Sequence, residues 1–113
     1  MSLDPKDLDR LLGVLGGSEA LDGFAALISP LEGYDREHNS DLVKTLRVYF
    51  ESNANASEAA QRLYLHRNSL NYRLLRVQSI TGLDPGAPKT RLVLQLGLLR
   101  ERERDRTNEP QYP

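Results

Sequence analysis

Cysteine is absent from this 113-residue chain, which removes disulfide frameworks, thiol nucleophiles and thiolate metal sites together. Histidine is scarce: His38 and His66 stand far apart, a poor basis for a histidine-rich metal site. No apolar run approaches the length that crosses a bilayer, and the start carries no signal-peptide pattern. There is no glycine-rich phosphate loop, and no serine or carboxylate pair in a recognisable nucleophilic or acid/base context. These absences argue against an enzyme, a cofactor carrier and a membrane protein, and leave a soluble, cytoplasmic binding module. What is present suits one packed domain, with 39% hydrophobic and 27% charged residues.

Net charge is also nearly missing, at −1, yet its distribution is uneven. Residues 1–41 hold nine acids against Lys6, Arg10 and Arg36, a balance of −6. Residues 42–113 hold twelve bases and seven acids, a balance of +5. Within that half, residues 57–80 set Arg62, Arg67, Arg73 and Arg76 against Glu58 alone. A locally basic segment in a neutral protein fits a DNA reader whose other face is acidic. A solvated charged surface is the other reading of the same residues.

Glycine and proline punctuate a series of helical patterns, and no strand is required. Asp4-Pro5 reads as an N-cap and first helical position, followed by Leu8, Leu11, Leu12 and Leu15 and a stop at Gly16-Gly17. Ser18 caps a second short helix carrying Leu21, Phe24, Ala25, Leu27 and Ile28, expected to end at Ser29-Pro30. Gly33 to Ser40 reads as a polar connector. A third helix from Ser40 or Asp41 presents Leu42, Leu46, Tyr49 and Phe50, and Asn53-Ala54-Asn55 breaks it. Asn55 and Glu58 have capping-box spacing at the head of a fourth. A longer helix spans about 66–81, with an inward stripe of Leu70, Leu74 and Val77 and a stop at Gly82. Leu92 to Leu99 is apolar except for Gln95 and Gly97, and the alternating charges of residues 100–104 make it a helix rather than a strand. The tail from Thr107 is expected to fray. The expectation is an all-α domain of five to six helices: an N-terminal helical segment and connector over 1–40, a DNA-binding unit over 41–106, and a tail over 107–113.

A short helix with paired alanines, a tight turn and a longer basic helix form a helix-turn-helix pattern. Ala59 and Ala60 allow close approach, while Leu63, Leu65 and Leu70 fill the angle between the two helices. The second helix then projects its N-terminal half outward, as entry into a major groove requires. With Leu70, Leu74 and Val77 inward, Asn68, Ser69, Tyr72 and Arg76 face out, and Arg67 and Arg73 lie on the flanks. Asn pairs bidentately with adenine, Arg with guanine, and Ser or Tyr bonds phosphate or a base edge. Each residue has a plainer alternative. Arg73 pairs with phosphate or with an internal carboxylate; Tyr72 packs under a neighbour or points out. Leu75 meets a thymine methyl or packs on the last helix or a second subunit. His66 is a cap or turn residue rather than a ligand.

Thr45-Leu46, the run from Ala59 to Leu74 containing His66-Arg67-Asn68-Ser69-Leu70-Asn71-Tyr72-Arg73-Leu74, and Ile80-Thr81-Gly82-Leu83 resemble the C-terminal DNA-binding domain of the PucR family. These are bacterial transcription regulators of purine and sugar-acid catabolism, related to the CdaR type. The upstream Leu31 to Tyr34-Asp35 and the apolar final helix are similar to this family as well. The resemblance covers about residues 12–100, with Ser69 where the family usually has Thr, and implies that Arg67, Asn68, Ser69, Tyr72 and Arg73 belong to a recognition helix. It also implies a fragment of a longer regulator whose other regions sense a small-molecule effector. The function expected is sequence-specific binding of double-stranded DNA as a homodimer. The apolar helices around Leu8–Leu15 and Leu92–Leu99 serve equally as dimer surface or as core. A helical protein-interaction or dimerisation module without nucleic acid is the alternative.

Overall fold

A computed structural model describes residues 4–108, and every element in that range is helical. α1 spans Pro5–Gly16; a 3₁₀ turn at Glu19–Leu21 leads into α2, Asp22–His38; α3 is Leu42–Glu51, α4 Ala56–Arg62, α5 Arg67–Thr81 and α6 Pro88–Asn108. The N-caps read from sequence form at the heads of the first two helical segments: Asp4 accepts from Lys6 N at 3.1 Å and Ser18 from Ala20 N at 3.2 Å. Among the described residues no single helix is long and apolar enough to cross a membrane.

The second helix does not stop at Pro30, and residues 33–38 are helix rather than connector. Proline lacks the N–H that would bond Ala26 O, yet Ala26, Ser29 and Pro30 all lie on the exposed side, where a carbonyl without its helical partner costs little. Ala25, Ile28 and Leu31, on either side of the proline, are fully buried and hold the helix to the core across the interruption. The true stop is Asn39, left-handed at φ 49°. At the other end, Thr107 and Asn108 are still helical in α6, where fraying was expected. No glycine or proline lies between Gly97 and Pro110, so the sequence offers no earlier breaker; residues 109–113 lie outside the described range.

α2 packs along α6, and α1 closes over the same helix. The α2–α6 crossing is close enough to need Gly97, since a Cβ there would sit 2.5 Å from Phe24 O and 2.9 Å from Ile28 Cγ1. Arg100 ties the three together, donating from Nη1 to Gly16 O at 3.1 Å and pairing through Nε with Asp22 at 2.8 Å. α3, α4 and α5 pack on one another, and α2 reaches both α3 and α5. One apolar cluster runs through all of this, from Ile28 and Leu31 through Leu46, Ala59, Leu70 and Val77 to Leu94 and Leu98. α1 contributes little to it: Leu8, Leu11, Leu12 and Leu15 stay 40–47% exposed.

Candidate nucleic-acid interface

α4 starts where the sequence places it, with Asn55 Oδ1 accepting from Glu58 N at 3.0 Å. The reciprocal half of a capping box is replaced, because Asn55 N donates to Ser52 O. Ala59 and Ala60 are buried against α5, which lets the helices meet closely. The turn between them is made by Tyr64, a non-glycine residue at φ 56° whose side chain is 96% exposed. Leu65 N then donates to Ala60 O at 2.9 Å, closing the turn. His66 is the cap of α5: its Nδ1 accepts from Asn68 N at 3.1 Å. Gly82, left-handed at φ 74°, ends α5 as expected.

The inner side of α5 is anchored by fully buried Leu70 and Val77, with Leu74 half-buried beside them. Arg73 adds a polar anchor. Its Nη1 donates at 3.0 Å to Oγ1 of Thr45, a fully buried α3 residue whose hydroxyl in turn donates to Asp41 O at 2.6 Å. The internal partner considered from sequence was a carboxylate; the structure provides a hydroxyl. The opposite side of α5 exposes Arg67, Asn68, Ser69 and Tyr72, and α5 carries no acidic residue. Tyr72 does not pack under a neighbour, being 60% exposed, and Leu75 is 65% exposed.

Arg76 is held rather than free. Its Nη2 donates to Tyr72 Oη at 2.7 Å, and its guanidinium carbon lies 5.5 Å from the Tyr72 ring and 5.7 Å from that of Tyr34. The hydrogen bond to Tyr72, followed by the influence of Tyr34, raises its pKa further above the ordinary guanidinium value. A cleft of about 380 Å³ opens here, lined by Tyr34, Ser40, Leu42, Asn68, Ser69, Tyr72, Arg73 and Arg76.

Two residues that the sequence matched only by resemblance, without a role, acquire one in the structure. Tyr34, read from sequence as part of a connector, reaches α5 because α2 runs through Pro30. Asp35, next to it, caps α3 from a distance: its carboxylate accepts from Ser40 Oγ at 2.6 Å, Leu42 N at 2.8 Å and Val43 N at 3.1 Å. Asp41, the residue at the local cap position, makes no such bond. The resemblance at Tyr34-Asp35 marks the residue but not this role, which joins positions seven residues apart across a turn. Among the described residues no cluster of His, Asp or Glu is arranged to hold a metal.

A helical hairpin with a pinned inner face and an acid-free, polar outer face defines a helix-turn-helix module. The PucR C-terminal helix-turn-helix domain matches residues 42–99, from the first residue of α3 into α6, and the chain belongs to this family. It is 44% identical over 57 residues to the DNA-binding transcriptional activator AdeR of Bacillus subtilis, covering 50% of this chain and 14% of that protein. It is 34% identical over 97 residues to the purine catabolism regulatory protein of the same organism, and 35% identical over 97 residues to the carbohydrate diacid regulator of Escherichia coli. Each of these two alignments covers 86% of this chain, but only 18% and 25% of the relatives. The chain thus spans a quarter or less of the length of these curated relatives. No solved structure matches it.

Proposed function

We propose that this chain is the sequence-specific, double-stranded-DNA-binding part of a bacterial transcription regulator, with the helix over 66–81 in the major groove. One observation carries the reading: the outer face of the N-terminal half of α5 is polar and free of acids while its inner face is fixed by Leu70, Val77 and the Arg73–Thr45 bond. Asn68 and Ser69, in the first turn, are the base-facing candidates; Arg67, Tyr72 and Arg76 flank them. Arg73 takes part with the donors that Thr45 leaves over. Function resides in binding, and the reading assigns no catalysis and no cofactor.

Residues 41–106 form the DNA-binding unit in this proposal, and α2, from the N-terminal segment over 1–40, braces it. A single module of this size makes a modest interface, so two copies on a two-fold site are proposed, with the exposed leucines of α1 as the candidate contact. The setting is the cytoplasm, and a small-molecule effector acts through other regions of a longer regulator. Selection from random duplexes at two salt concentrations tests the reading. An enriched palindrome, bound orders of magnitude more weakly when salt rises from about 50 to 200 mM, is expected. Binding without enrichment at low salt, even for a forced dimer, would count against it.

A further inference from the structure

We infer that the end of α2 and the outer face of α5 together form a phosphate seat, in which Arg76 contacts a backbone phosphate of the bound duplex and Tyr34 is the residue that positions it. The inference rests on the DNA-binding reading above and deepens it, because it brings into the interface a helix outside the matched helix-turn-helix segment.

The geometry is specific. Tyr72 Oη accepts one N–H of Arg76, and the Tyr34 ring lies against the guanidinium at 5.7 Å. A long cationic side chain on a helix surface ordinarily samples many rotamers, and fixing it on binding costs free energy. Here two rings and a hydrogen bond have already restricted it, with further N–H donors remaining for an oxyanion. Tyr34 is itself braced. The His38 ring stacks on it at 4.0 Å and 16°, and His38 Nδ1 donates to Tyr34 O at 3.1 Å.

The charge is complementary as well. No carboxylate lines the cleft. The nearest acid in sequence, Asp35, already accepts three hydrogen bonds at the head of α3. Asn68 and Ser69, the base-facing candidates, border the same cleft. A phosphate on the strand flanking the recognised base pairs would therefore arrive beside Arg76.

The test uses the full chain and a mixed-sequence duplex of about 30 base pairs, with affinity measured across a salt series. Arg76→Gln is expected to weaken binding about three- to tenfold and to lower the salt slope by about one. Tyr34→Leu is expected to do much the same, Tyr34→Phe to retain affinity, and the double variant to bind no more weakly than Arg76→Gln alone. That non-additivity separates a positioning role from a loss of fold, and melting curves of each variant accompany it. Wild-type protein that fails to bind the duplex would overturn the DNA-binding reading itself. Wild-type binding with unchanged affinity and slope in Arg76→Gln would overturn this inference alone. Tight binding of inorganic phosphate, with full duplex affinity in both variants, would give the cleft to a free oxyanion and overturn the assignment to DNA.

Discussion

Asn68 sits in the first turn of α5, exposed, with its backbone N–H already taken by His66 and its amide directed away from the core. If it reads adenine, Asn68→Ala costs about 1–3 kcal/mol at one base pair and leaves binding elsewhere unchanged. Affinities for single-base variants of the selected site would measure this; a uniform loss across all sites would make Asn68 a phosphate contact instead. Individual side chains on α5 were legible in the sequence, because its 3.6-residue period sorts them inward or outward without knowledge of any other helix. Partners from distant positions were not. Arg73 finds Thr45 28 residues away, and no spacing rule on α5 alone would have selected a buried hydroxyl on α3.

Helices were legible where their ends carry local chemistry. Asp4, Ser18, Asn55 and Gly82 all mark the ends at which they were read. α2 was misread because a proline breaks a local rule that tertiary burial overrides, with Ile28 and Leu31 secured on either side of it. The α2–α3 joint depends on one carboxylate. Asp35→Ala should destabilise the domain by about 1–2 kcal/mol, a typical cost for losing a helix cap. Denaturant titration would give the magnitude, and faster amide exchange confined to Leu42 and Val43 would locate it. Intact stability in Asp35→Ala would mean that the local Asp41 takes over the cap.

Gly97 belongs to the same scale. Alanine there gains up to about 1 kcal/mol of helix propensity, but its methyl would press on backbone at Phe24 and force α2 and α6 apart. Overpacking of that kind costs about 1–3 kcal/mol, so Gly97→Ala should be destabilising on balance. A rise in melting temperature would show that the two helices part more easily than their close crossing implies. The sequence displayed this glycine only as an interruption in an apolar run. Its reason, the carbonyl of a helix more than seventy residues earlier, lies in the packing.

For the molecule as a whole, the near-zero net charge conceals an acidic stretch over residues 1–41 and a basic one over 42–113, and the salt dependence of binding reports on the basic one. Each phosphate neutralised adds about 0.9 to the slope of log affinity against log salt, so the slope counts the contacts. The other whole-molecule property is association. Leu11, 47% exposed on α1, is a suitable position to test the proposed pairing. Leu11→Asp should leave a monomer in sedimentation equilibrium and weaken binding to a two-fold site while sparing a half-site. A wild-type chain that is monomeric at all concentrations, both free and on the two-fold site, would refute the pairing. Fold class and motif were readable because they rest on periodicity; the role of α1 was left open because an apolar helix face has the same pattern whether it meets its own core or another chain.

The turn residue of the hairpin has a practical consequence. Tyr64 projects almost entirely into solvent, and the chain contains no tryptophan. Tyr64→Trp would therefore install a single tryptophan, excited selectively over the tyrosines, at the elbow between α4 and α5, displacing no packed neighbour and retaining an aromatic side chain at that backbone conformation. Its emission would be water-like in the free protein. A duplex seated on α5 would change its quenching, so docking could be followed in real time without attaching a dye to either molecule.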